Sequence, residues 1–170
     1  MARRKKLPTI RAMVASSRHR AWLDRGKAFI ATTEKVTFGA GGGADFMYLK
    51  APAGARLFMK RIVFAFNAGN GTLYISANPT GTITGSSITP RNRKVGDSGT
   101  SSATVYKSVG GVATKGNFLH AIPFAISGGA VVDLEMEEEF ILDANQAILI
   151  SFDADATAKD MACSLEWAEE

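Results

Sequence analysis

The stretch Gly96-Asp97-Ser98-Gly99 is where a reaction centre would first be sought, because it sets a serine between glycines beside a carboxylate. A nucleophilic serine needs a histidine within hydrogen-bond reach and a carboxylate behind that histidine. The chain has two histidines, His19 and His120, and His19 lies in the N-terminal segment. Position 100 is Thr, and the stretch reads as a tight turn in a Gly/Ser-rich loop. The carboxylates offer no better start. Asp153, Asp155 and Asp160 could surround a calcium ion, but that spacing also fits solvated turn residues, and no metal site is assigned. Glu137-Glu138-Glu139 is a charge run, and three consecutive side chains cannot all converge on one pocket as general acid/base work requires. It reads as a solvated rim.

Two separated histidines and one cysteine do not make a zinc site without several carboxylates. Gly39–Gly43 is glycine-rich, but no Gly-Lys-Ser/Thr follows it, so it is a turn and not a phosphate loop. Phe58, Phe64, Phe66 and Tyr74 could stack on sugars or bases, although core packing is the commoner fate of strand aromatics. Cys163 shares an apolar face with Met161 and Leu165 and is expected to be buried and inert. No catalytic constellation and no cofactor site can be assembled, and an enzyme is the least expected class.

One constellation survives this test. Arg3, Arg4, Lys5, Lys6, Arg11, Arg18, Arg20, Arg25 and Lys27 crowd the first 27 residues, with Trp22 and Leu23 as apolar anchors. Residues 1–35 hold ten Lys/Arg against two acids, residues 36–130 nine against two, and residues 131–170 one against twelve. A basic arm and an acidic surface each call for a partner of opposite charge. Docking on an acidic protein surface is the first reading of the arm, with Trp22 and the apolar positions favouring protein. A tail that only solubilises the chain is the second, and neutralising nucleic-acid phosphates is the third. Ile10, Met13, Val14 and Ser17 stand at helical spacing, so a short amphipathic helix ending at Gly26 is compatible with the arm.

The elements that would carry such a surface are strands. From residue 27 on, Phe, Val, Ile and Thr are common, and Gly, Asn, Pro and Ser interrupt them every eight to twelve residues, the pattern of an all-β sandwich or barrel. Strands are expected near 28–38, 45–50, 56–67, 72–77, 103–108, 118–126, 130–136, 139–142, 146–153 and 160–167. The last is the cleanest: Met161, Cys163, Leu165 and Trp167 alternate with Ala162, Ser164, Glu166 and Ala168. The loop 154–159 suits a hairpin between the final two strands, and Asn67–Gly71 reads as another turn. Residues 78–117 are rich in Gly, Ser and Thr and read as long loops with one or two short edge strands. Arg91, Arg93 and Lys94 are the candidate binding surface there.

The expectation is therefore a basic arm over 1–26 and one jelly-roll-type antiparallel β-sandwich over 27–170. At 170 residues the chain is long enough to fold around one core without disulfides, and its single cysteine allows none within the chain. No run of 18 apolar residues and no apolar stretch behind Arg3–Lys6 is present, so neither a membrane helix nor a secretory leader is expected.

Two segments carry a family resemblance. Lys60-Arg-Ile-Val-Phe-Ala-Phe-Asn67 with Gly71–Gly81, and Glu139–Phe152 with Ser164-Leu-Glu-Trp167, resemble small virion proteins of tailed bacteriophages. The likeness is one of texture over about residues 28–167, and it transfers no functional residue. It implies a capsid cement (decoration) protein made in the host cytoplasm and carried on the virion. Such a protein would be a homo-oligomer, with a trimer expected, seated on the major capsid protein or another virion protein through its arm. A tail, adaptor or fibre-base protein using residues 78–117 for host recognition is the alternative. A jelly-roll capsid protein whose arm binds nucleic acid is the second alternative.

Overall fold

The computed structural model describes residues 20–38, 43–67, 69–126, 129–154 and 159–170. Within them are twelve strands: β1 (Ala28–Thr32), β2 (Val36–Phe38), β3 (Gly43–Lys50), β4 (Leu57–Phe66), β5 (Gly69–Ala77), β6 (Thr80–Ser87), β7 (Arg91–Asn92), β8 (Thr104–Thr114), β9 (Asn117–Ile126), β10 (Ala130–Leu142), β11 (Ala147–Ala154) and β12 (Lys159–Glu169). All pairings are antiparallel, in two sheets packed face to face. One sheet runs β10-β4-β12-β1-β7, with β2 beside β12, and the other runs β6-β8-β3-β11-β5-β9. If β1 and β2 count as one broken strand and β6–β8 as an insertion, the remaining strands follow the jelly-roll order: first, eighth, third, sixth in one sheet, and second, seventh, fourth, fifth in the other.

The core explains the strand spacing. Met161, Cys163, Leu165 and Trp167 of β12 face Phe46, Met47, Leu73, Ile75, Ile148, Ile150 and Phe152 of the opposite sheet in one buried cluster. In β4 the inward positions change parity between Met59 and Ile62, because a bulge opposite Glu166/Trp167 absorbs Lys60. The expected strand 28–38 is split in two. Between β1 and β2, Thr33 is buried; its N–H donates to the Cys163 carbonyl at 2.8 Å, and its hydroxyl accepts from the Cys163 N–H at 2.9 Å. A side chain thus replaces one rung of the ladder. Burial pushes the Cys163 thiol far above its ordinary range.

Three sequence expectations change. The strands read at 130–136 and 139–142 are one strand, β10, whose register breaks between Glu135 and Phe140, so that 136–139 bulge opposite Lys60. The last two strands are not a hairpin: β11 pairs with β3 and β5, whereas β12 pairs with β4, β1 and β2 in the other sheet. A short connection fits either arrangement, and burial on the facing sheet decides between them. Asn67–Gly71 is only partly a turn, since β5 starts at Gly69.

Within residues 78–117 the loop expectation holds only in part: 93–103 is a loop beside the short edge strand β7, but more than half of the segment is strand. β6 and β8 pair into a ribbon of eight and eleven residues. β8 starts against β3 and, past Ser108 at φ 51°, the ribbon runs back across the outer face of that sheet. Ile83, Tyr106, Val109 and Val112 then cover Tyr48, Ala147 and Leu149. The ribbon ends where Gly116, at φ 77°, lies so close to Ala77 that a Cβ would sit 2.0 Å from its carbonyl oxygen. Only glycine fits there.

Two predictions follow from this packing. Trp167 is fully buried between the sheets, so Trp167→Ala should lower unfolding stability by about 3–5 kcal/mol, read as a fall in the urea midpoint. At β2, Asp160 accepts from the Thr37 hydroxyl at 2.6 Å and from Lys35 Nζ at 3.1 Å, which holds its carboxyl below its ordinary range. A depressed folded-state pKa gives stability that is present above the unfolded value, about 3.9, and is lost as pH falls through the folded one. The melting temperature of the wild type should therefore exceed that of Asp160→Asn at pH 7, and the gap should close on acidification below about pH 4.

Candidate interaction surface

The two sides of the sandwich are finished differently. On one side the insertion covers both sheet margins: β7 pairs with β1 at Phe29 and Ile30, and β8 pairs with β3. Arg93 is central to this closure. Its N–H donates to the Ala28 carbonyl at 2.9 Å, and its guanidinium Nη1 meets Glu166 Oε2 at 2.6 Å in a half-buried pair. Glu169, itself buried, accepts from the Ser101 hydroxyl, from Ser102 N and Oγ at 3.3 and 3.2 Å, and from Trp167 Nε1 at 3.2 Å. A buried carboxylate supplied with several donors fixes the chain that reaches it.

The turn after β7 is built as firmly. Lys94 Nζ donates to the Asp24 carbonyl at 2.8 Å, and Asn92 Nδ2 donates to the Gly26 carbonyl at 2.8 Å. Asp97 N donates to the Lys94 carbonyl at 3.1 Å, and Asp97 Oδ1 accepts from Gly99 N at 2.7 Å. The Gly-Asp-Ser-Gly stretch is therefore a turn whose aspartate hydrogen-bonds to its own loop. His120 lies on β9, at the other side of the molecule from Ser98. Of the three expected surface cations, Arg93 and Lys94 bind the body, and Arg91 is exposed on β7.

The root of the basic arm belongs to this body. Residues 20–24 form one helical turn, closed by Gly26 at φ 66° with Gly26 N to Leu23 O at 3.0 Å and Lys27 N to Trp22 O at 2.8 Å. Trp22 is buried on the outer face of the first sheet against Phe58, with ring centroids 5.0 Å apart, and Ala168. Arg20 and Arg25 flank it in the open. Arg3, Arg4, Lys5, Lys6, Arg11 and Arg18, with the helical spacing read at 10–17, lie outside the described residues.

Among the described residues the opposite side has no such cover. β9 and β10, ten and thirteen residues long, are the last strands of their sheets, and each has one strand partner among the described residues. Of the exposed large apolar side chains, Phe118 (61 %), Leu119 (38 %), Val131 (66 %) and Ile141 (45 %) stand on these two strands, and Val95 (99 %) stands on the turn after β7. Between the strands a groove of about 540 Å³ is lined by His120, Leu134, Met136 and Phe140, with Asp133 and Glu135 at its rim. Arg61 Nε donates to Asp133 Oδ1 at 2.7 Å in a two-pronged pair that holds the Asp133 carboxyl low, through hydrogen bonding first. Pro123 fits an edge strand, where one side needs no donor.

Sequence reasoning missed this side. The signal was there in Phe118-Leu119 and Val131-Val132, adjacent apolar pairs that place an apolar group on both faces of a strand. The same pattern marks a central strand buried on both faces, so only the sheet order separates the two cases. The aromatics divide: Phe64 and Phe66 enter the core, Phe58 holds Trp22, and Tyr74 packs on Phe118 at 5.2 Å. Among the described residues no group of three His, Cys, Asp or Glu is placed to share a metal ion, and no helix is long and apolar enough to cross a membrane. No family model, no curated protein and no solved structure matches the chain.

Trp22→Ala should detach the helical turn from Phe58. The expected result is a stability loss of about 3 kcal/mol and faster tryptic cleavage after Arg20 and Arg25, measured by urea titration and timed proteolysis.

Proposed function

We propose that the protein is a non-enzymatic structural component of a bacteriophage virion, a cement protein that binds the assembled capsid shell as an oligomer and stabilises it. The observation that carries this reading is the one-sided finish of the jelly roll: one margin sealed by its own insertion, the other left with two long edge strands and four exposed apolar side chains. An exposed apolar edge is a template for association or aggregation unless something covers it. The likeness of residues 28–167 to small phage virion proteins supplies the setting.

In this role the arm is the shell-binding element. Its six cations before residue 19 precede a helical turn that Trp22 fixes to the outer face of the first sheet. Binding only the assembled shell stabilises that shell by linkage. Several arms on one oligomer raise avidity well above that of a single arm. The alternative, host recognition through free loops at 78–117, has less support, because β6 and β8, which make up much of that segment, form a ribbon packed on the body.

Removal of residues 1–19, which spares Trp22, should leave the urea midpoint and native mass unchanged. Binding to shells stripped of this protein should fall at least about a hundredfold. Sedimentation with shells measures this, and full decoration by the truncated chain would refute the arm's role.

A further inference from the structure

We propose that the outer face of the second sheet carries a saccharide-binding site, with Tyr74 and Phe118 as its apolar platform and Ser76, Ser151, Asp45 and Lys115 as its hydrogen-bonding groups. The site is separate from the shell role and does not depend on it.

The strands place these residues on one face. Leu73, Ile75, Ile150 and Phe152 enter the core, so Tyr74, Ser76 and Ser151, which alternate with them, point outward. Ser151 is in register with Tyr74 on one side and with Asp45 on the other. Phe118 is in register with Ser76. Ser76 pairs with Leu149, two residues before Ser151, so the two serines are diagonal neighbours within reach of one small ligand. The ribbon covers Tyr48, Ala147 and Leu149 of this sheet. Lys115, just past the end of β8, puts its Nζ 3.5 Å from Asp45 Oδ1.

The polar groups of this cluster lack partners. Ser76 and Ser151 are fully buried, and among the described residues neither hydroxyl has a hydrogen bond. Asp45 Oδ1 is also buried, and the Lys115 ammonium stands beyond ordinary hydrogen-bond distance from it. An unpaired buried hydroxyl destabilises a fold, so two of them on one face mark a place where something else supplies the partner.

The chemistry of the cluster selects the class of ligand. A metal cation would have the Lys115 ammonium beside it, and an inorganic anion would have the Asp45 carboxylate. A neutral polyol suits both, because each of its hydroxyls can donate to a carboxylate and accept from an ammonium or a serine. The rings complete the fit. Tyr74 and Phe118 pack with centroids 5.2 Å apart, and Phe118 is 61 % exposed. A sugar ring has C–H groups that lie on an aromatic face and hydroxyls at its rim that reach the polar groups beside it. On binding, a sugar hydroxyl donates to Asp45 Oδ1 in place of the ammonium, and the flexible stem of Lys115 turns its charge to another ligand oxygen.

The test is a glycan array of bacterial and animal mono- to hexasaccharides probed with the full chain, followed by titration of the strongest binder. Retention of a saccharide is expected, and the array itself shows from which source it comes. Phe118→Ala should weaken binding about tenfold, and Tyr74→Ala replaces it if that variant does not fold. Ser151→Ala should weaken binding about fivefold and yet melt at or above the wild-type temperature, because its hydroxyl has no partner in the free protein. A serine with a purely structural role would show the reverse. No saccharide retained, binding unchanged in either variant, or a Ser151→Ala protein that melts lower would each overturn the site. A change of native mass in Phe118→Ala with no saccharide bound by the wild type would assign the rings to a contact between copies and also overturn it. Shell binding by Ser151→Ala should stay at the wild-type level, so the two roles fail separately.

Discussion

A β-sandwich must do something with the margins of its sheets, because an edge strand carries a row of backbone donors and acceptors and, at the mouth between the sheets, apolar side chains that the core has not enclosed. Most of what distinguishes this protein follows from that constraint. The jelly-roll order brings β1 and β3 to one side and β9 and β10 to the other. The first pair is covered from within the chain, by β7 and β8, and among the described residues the second is not.

The covering is tied down by charge and by donors as well as by apolar contact. Arg93 on Glu166, the serines on Glu169 and the Lys94 ammonium on the Asp24 carbonyl all bridge the insertion to β12 or to the arm root. Truncating one member of a half-buried pair such as Arg93–Glu166 leaves its partner desolvated and uncompensated, so these contacts set specificity of placement as much as stability. The same ties fix the Val95 turn and the arm root beside each other. One side of the molecule is thereby rigid and basic, while the other is open, apolar and acidic.

How far the sequence speaks depends on how far each feature is written in local pattern. β12 was legible because Met161, Cys163, Leu165 and Trp167 alternate with small or charged residues, and one buried face imposes that period. The first half of β8 was legible as the strand expected at 103–108, where Val105 enters the core. β6 and the rest of β8 were not, because the part of the ribbon lying on the outside of a sheet buries Ile83, Val109 and Val112, and the rest of its length can be Gly, Ser and Thr. The Glu137–Glu139 run looked like a break between strands, and it is a bulge within one. Trp22 was legible as an apolar anchor, but it was read as one for a partner's surface, and it is buried against this chain's own Phe58 and Ala168 from distant strands. The groove was the least legible, since its walls join β9 and β10 only through the order of two separate sheets.

The proposed role requires the β9/β10 margin to be covered in the working state of the protein. Amide hydrogen exchange of the full chain across a dilution series tests this directly. The expected result is protection that rises with concentration in β9 and β10, with β4 and β12 protected throughout. Exchange in β9 and β10 that stays fast at every concentration, or protection that rises only elsewhere, would contradict it.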